Sequence, residues 1–278
     1  MIKLKSEMTS DMLVYDIQYF QNLRINSSPK GVQPKYTDGK LWVKPDSEGY
    51  RGLSEVISSR FASSLGVPCV KYEPCYLSDG EILRSGCVSQ SYVSERQTES
   101  SVGEELCAKK GFSNLRALTE FTAKLPTIKE RISYVVDNLS PEIPEAVLYE
   151  FLADTLWVDS CIYNPDRHLY NLILLREGNT LIPGPLMDFG EGLMADTYKY
   201  PERTNYEVQR YNIKSKPFAA AFRSQVDCLL PYLGFGLPKD ITILKSDLFL
   251  YYEPWEIARA IDILELGLKG YNIALHTD

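Results

Sequence analysis

A short strand pair framed by two acidic motifs constrains this chain more than any other feature. The first motif is Asn164-Pro165-Asp166-Arg167-His168-Leu169-Tyr170-Asn171. It ends a long stretch from Pro144 to Ile162 whose Val147, Leu148, Phe151, Leu152, Thr155, Leu156 and Ile162 mark one side of a predicted helix. A strand is predicted over Asn171 to Leu175, a turn at Glu177-Gly178-Asn179 and a return strand over Thr180 to Ile182. The second motif, Met187-Asp188-Phe189-Gly190, follows directly. A hairpin returns the chain to its starting point, so Asp166, Asn171 and Asp188 can converge. Either motif alone reads as a capped helix end or a turn. Together, in this order around a hairpin, they read as a site.

Two carboxylates and one amide oxygen are hard donors of the kind Mg²⁺ takes. Phosphoryl transfer needs such a set. The metal shields a triphosphate, and a carboxylate receives the proton of the attacking hydroxyl. Upstream, Gly39-Lys40-Leu41-Trp42-Val43-Lys44 is a predicted strand, and Gly52 to Leu65 a predicted amphipathic helix. A strand lysine, Lys44, can point at phosphates, with Glu55 on the following helix holding it; Glu48 is a nearby competitor for that role. The segment Ser27 to Lys35 precedes the lysine strand, where a phosphate-covering loop belongs. It is neither a Walker A loop nor G-x-G-x-x-G, and by itself it reads equally as an ordinary turn.

The remaining first half reads as β-rich. Val67 to Leu77 and Glu81 to Val93 are β-leaning runs joined at Ser78-Asp79-Gly80, a favourable hairpin turn. Ser94 to Gly111 is polar and lacks periodicity, and its start is the best linker candidate. Helices are predicted over Pro217 to Leu230 and Pro254 to Leu268. The expected fold class is α+β and bilobal, with a small β-rich N-lobe over residues 1–93 and a larger α-helical C-lobe over 94–278. Ligands of such folds commonly sit between lobes.

Composition narrows the function classes. At 44% hydrophobic and 24% charged residues, the 278-residue chain folds rather than remaining disordered. A net charge of −7 argues against a nucleic-acid coat or a polybasic membrane binder. The six cysteines form no C-x-x-C pair and there are two histidines, so a zinc site is not expected. Scattered thiols, no signal peptide and no membrane span lead to an expected cytoplasmic location, although a secreted effector without a cleavable signal would read the same.

Gly-Val-Gln-Pro-Lys at 31–35, the Lys44 strand, Asp-Arg-His-x-x-Asn at 166–171 and Asp-Phe-Gly at 188–190 together resemble the HipA-like kinases. These are bacterial serine/threonine kinases with a phosphoinositide-kinase-related fold, and the resemblance covers roughly residues 25 to 265. It implies ATP and Mg²⁺ as cofactors, Asp166 as catalytic base, and Asn171 and Asp188 as metal ligands. It also implies Lys44 on the ATP phosphates, Val32, Gln33 and Lys35 in the phosphate loop, and the adenine hinge near Gln90 to Glu95, with Tyr92 in it. His168 reads either as a scaffold residue or as a contact to the γ-phosphate or Asp166. Arg167 is expected to pair with a carboxylate that holds the loop. Ser28 is a candidate autophosphorylation site, no more so than ordinary loop chemistry.

In a chain of 278 residues the extra N-terminal subdomain of the full-length toxins is not expected, and the resemblance then implies compact members, short toxins or small effector kinases. The implied partners are a protein with a serine or threonine acceptor and a small antitoxin; no nucleic acid or membrane is expected. Two alternatives remain at the level of sequence: a lipid or small-molecule kinase, and a non-catalytic ATP-binding protein. The tyrosines Tyr198, Tyr200, Tyr206 and Tyr211 in the segment after Asp188 either dock an acceptor or cover the lobe.

Overall fold

The computed structural model describes residues 2–3, 12–22 and 34–278. Val32, Gln33, Ser27 and Ser28 lie outside the described residues. The chain begins with β1 (Ile2–Lys3), β2 (Val14–Asp16), β3 (Gln21–Asn22), β4 (Tyr36–Thr37), β5 (Leu41–Pro45), α1 (Arg51–Ser64), β6 (Tyr72–Ser78) and β7 (Leu83–Gln90). Among the described residues these strands form one sheet in the order β2-β6-β7-β5-β4-β3, with β1 also paired to β7. Its centre is antiparallel, with Lys44 opposite Cys87. The β6–β7 turn forms at Asp79, whose Oδ1 accepts from the Glu81 and Ile82 amides, while Gly80 takes a φ of +107°.

Strand alternation decides what each face holds. Val43 turns outward into a small cluster with Cys75, Leu77 and Val88. Lys44, the next residue, turns inward beneath α1. That helix buries Leu53, Val56, Ile57 and Phe61 completely. Its first turn lies so close to the sheet that a Cβ on Gly52 would stand 2.8 Å from Gly86 backbone atoms. Only glycine permits this approach.

The second part runs β8 (Gln97–Ser101), α2 (Val102–Lys110), α3 (Leu115–Ala123), α4 (Ile128–Leu139), α5 (Glu145–Ile162), β9 (Ile173–Glu177), β10 (Thr180–Pro183), α6 (Tyr206–Gln209), α7 (Phe222–Leu229), β11 (Asp240–Ile243), α8 (Pro254–Lys269) and β12 (Ala274–Thr277). α5 is buried nearly all round from Leu148 to Ile162, with Trp157 at its centre. β9 and β10 form the expected hairpin. One continuous apolar core joins α1, α5, α8 and the inner face of the large sheet. No helix among the described residues is long and apolar enough to cross a membrane. All six cysteines are free thiols.

Two expectations about elements are corrected. Residues 97–110, read as polar and aperiodic with a linker at their start, form β8 and α2. β8 is an edge strand paired antiparallel to β9 (Ser101 opposite Ile173), so its polar side chains can face water while its backbone supplies the ladder. The helix predicted from Pro217 starts only at Phe222. The buried Gln225 side chain accepts from the Phe218 amide at 3.2 Å and donates to the Lys216 carbonyl at 3.0 Å, tying up backbone groups that a helix would pair.

Candidate active site

Lys44 is 3% exposed and stands between two carboxylates. Its Nζ lies 2.6 Å from Glu55 Oε1 and 2.7 Å from Asp188 Oδ1. Tyr72, from β6, adds its hydroxyl at 3.3 Å and its ring face at 4.9 Å. Burial acts to discharge the ammonium, but Asp188 and Glu55 outweigh it and push the Lys44 pKa well above its usual value. The second oxygen of Glu55 accepts the Phe189 amide at 2.8 Å, and the Ser54 hydroxyl donates to the Phe189 carbonyl at 2.7 Å. α1 thus grips the strand lysine and the Asp-Phe-Gly segment at once. Glu48, the competitor, pairs instead with Arg51 at 2.6 Å.

Asp188 has a φ of +58°, in the left-handed region that aspartate enters more readily than most residues. Its Oδ1 also accepts from Lys35 Nζ at 3.2 Å. Burial would raise its pKa, but Lys35 and Lys44 hold the carboxyl well below the usual carboxylate range. It is an anion at any physiological pH.

The Asp-Arg-His-x-x-Asn segment is built on Arg167, which is fully buried. Asp159, on the last turn of α5, takes Arg167 Nε at 2.8 Å and Nη2 at 3.2 Å. Arg167 Nη1 donates to the carbonyls of Asn171 and Met187, each at 2.8 Å. One guanidinium therefore ties the end of the loop to the residue before Asp188. α5 stops at Tyr163, which has a φ of +52°. Asn164 then donates to Asp159 and accepts the Asp166 amide. The Asp166 carbonyl accepts from the His168 amide at 2.8 Å and the Asn171 side-chain amide at 2.9 Å. The Asp166 carboxylate is half-exposed and accepts from Lys216 Nζ at 2.9 Å.

His168 is half-buried, and its Nδ1 has no hydrogen-bond partner among the described residues. Burial lowers its pKa, against the pull of Asp166, so the ring is neutral at pH 7. Tyr92 hydrogen-bonds Glu99 of β8; burial and that carboxylate push its hydroxyl pKa up. Tyr72 and Lys216 are site residues that sequence reasoning missed. Nothing near either in the sequence marks it, because each reaches the site across the fold.

The donor set fits magnesium. The Asp188 carboxylate, held anionic, and the Asn171 amide offer hard oxygens. Mg²⁺ typically takes one or two such protein ligands and completes its shell with water and phosphate. Among the described residues no three His, Cys, Asp or Glu side chains group as a metal cage. The ammonium groups of Lys35 and Lys44 complement polyphosphate charge.

No protein-family model and no curated protein matches the chain. Among solved structures it is similar to the Helicobacter pylori proinflammatory kinase CtkA. The TM-score is 0.61 at 13% identity, covering 92% of this chain and 95% of that one. HipA of the Shewanella oneidensis MR-1 toxin–antitoxin system, in complex with HipB and operator DNA, gives a TM-score of 0.45 at 12% identity, over 87% of this chain and 57% of that one. A choline/ethanolamine kinase family protein from Mesorhizobium loti gives 0.25 at 12% identity, over 89% and 92%. At those two scores nothing follows for this chain's chemistry. The chain's α+β architecture is the fold that the kinase CtkA adopts.

Proposed function

We propose that this protein is an ATP- and Mg²⁺-dependent serine/threonine protein kinase of the HipA-like type, acting in the cytoplasm. The observation that carries the reading is the buried Glu55–Lys44–Asp188 chain of contacts, because it joins a strand lysine, a helix glutamate and the Asp-Phe-Gly carboxylate in the arrangement phosphoryl transfer uses. The division at residues 93 and 94 into two lobes, with the nucleotide between them, belongs to the same proposal.

Lys44 and Lys35 bind the phosphates. Residues 90–95, Tyr92 included, line the adenine. Asn171 and Asp188 hold Mg²⁺, which when bound neutralises phosphate charge. Asp166 accepts the proton of the acceptor hydroxyl, and Arg167 keeps the base and Asn171 in register with Asp188. His168, neutral, packs beside Asp166. Most of the acceleration then comes from positioning and preorganised charge.

The test is transfer of radiolabelled γ-phosphate, with Mg²⁺, to a generic protein acceptor and to the enzyme itself. Label on serine or threonine with wild type, and none with Asp166→Ala or Asp188→Ala, is the expected result. Wild type that binds Mg·ATP yet labels no protein overturns the protein-kinase reading. Label on an added lipid or small molecule then identifies the other kinase class.

A further inference from the structure

Lys216 is placed more carefully than a surface lysine needs to be. In residues 213–218, Ile213, Ser215 and Phe218 are buried, while Lys214 and Lys216 point outward. Ser215 hydrogen-bonds forward, from its amide to the Ala220 carbonyl and from its hydroxyl to the Ala219 carbonyl. The fully buried Gln225 of α7 holds the Lys216 carbonyl and the Phe218 amide. Arg131 of α4 donates to the Phe218 carbonyl at 2.9 Å. Two helices, α4 through Arg131 and α7 through Gln225, therefore fix the backbone around one exposed lysine. What that lysine reaches is Asp166 Oδ1.

Fold stability does not account for this. The two side chains are 47% and 43% exposed, and an ion pair so exposed contributes at most about 1 kcal/mol. The placement makes chemical sense instead. A lysine ammonium has three donors. One holds Asp166 Oδ1, which orients the carboxylate and leaves Oδ2 to face an acceptor hydroxyl. The other two are available to further oxygen acceptors beside Asp166. Lys35 and Lys44 stand at Asp188, whereas Lys216 stands at Asp166.

We propose that Lys216 is a catalytic residue that contacts the transferring γ-phosphoryl group and orients Asp166. The inference rests on the kinase reading above. In the step, the acceptor oxygen forms its bond to the γ-phosphorus as the bond from that phosphorus to the β,γ-bridging oxygen breaks. The hydroxyl proton passes to Asp166, and ADP leaves with the electron pair. Lys216 keeps its proton and neutralises charge on the equatorial phosphoryl oxygens. Gln225 is a positioning residue for it.

The experiment measures kcat and KM for ATP, with thermal unfolding, for the full chain and for Lys216→Met, Lys216→Arg and Lys214→Met. Lys216→Met should lower kcat on the order of 100-fold, the usual effect of removing one preorganised charge at a reacting centre. Its KM for ATP and its Tm should stay at the wild-type values. Lys216→Arg should recover a large part of kcat, and Lys214→Met should match wild type. A Lys216→Met enzyme with wild-type or higher kcat, or a loss confined to KM, overturns the inference while the kinase reading stands. Equal losses in Lys214→Met and Lys216→Met also overturn it. Wild type without any transfer overturns the kinase reading itself, and this inference with it.

Discussion

Each oxygen of Glu55 has its own partner, the Lys44 ammonium on one side and the Phe189 amide on the other. Glu55→Gln removes the charge and must also present an amide NH₂ to one of two donors. Lys44, fully buried, is then left with Asp188 as its remaining anion. Removing one partner of a buried ion pair costs about 3 kcal/mol or more. Urea unfolding should show that loss as a lower midpoint at unchanged slope, with γ-phosphate transfer reduced at least in proportion. An unchanged midpoint would mean that Asp188 alone satisfies Lys44. At this scale Lys44, Glu55, Asp166, Asn171 and Asp188 were legible as candidates because residue type and spacing single them out. The Lys35–Asp188 contact and the parts played by Tyr72 and Lys216 were not, since local sequence carries no record of partners some 30 to 150 positions away.

Helix packing sets the next scale. Gly267 lies in α8, where alanine would ordinarily be favoured over glycine by about 1 kcal/mol. Here a Cβ would sit 1.9 Å from the Cys161 carbonyl oxygen on α5, a backbone atom that cannot swing away. The steric term wins, because relief requires α8 to move off α5. Gly267→Ala should therefore lower stability by about 2 kcal/mol and Tm by roughly 4–8 °C. A higher Tm in differential scanning would show that α8 can slide without cost. α5 and the β9–β10 hairpin were readable because one has a broad apolar face and the other ends in an unambiguous turn. β8 was not, since a polar edge strand looks like a linker until its partner is known. The late start of α7 depends on Gln225, which competes with the backbone from seven residues downstream.

The whole molecule is held by the large apolar core that joins α1, α5, α8 and the sheet, and by contacts that cross the site. Arg51, at the start of α1, meets Glu48 at 2.6 Å, Glu191 at 2.9 Å and Asp196 at 3.3 Å, and the Tyr50 hydroxyl donates to the Leu193 carbonyl. The segment after Asp188 is thus fastened to the helix that holds Lys44. A ligand bound across these parts stabilises all of them together, by about 2.7 kcal/mol at a hundredfold excess over Kd. Mg·ATP should raise the wild-type Tm by roughly 5 °C, an effect removed by a metal chelator and by Lys44→Met. A shift that survives Lys44→Met would place the nucleotide elsewhere.

By itself the sequence determined the chemistry available and the local elements that carry it. Asp166, Asn171 and Asp188 flank a hairpin, Lys44 is a strand lysine, and the apolar face of α1 is written in Leu53, Val56, Ile57 and Phe61. Such information is short-range: side-chain type, periodicity and turn propensity act within a few residues. Tertiary structure alone decided which charges meet. It chose Glu55 over Glu48 for Lys44, gave Asp159 to Arg167, and brought Lys216 to Asp166. A charge is equally compatible with any opposite charge, so only the packing of the intervening core selects its partner.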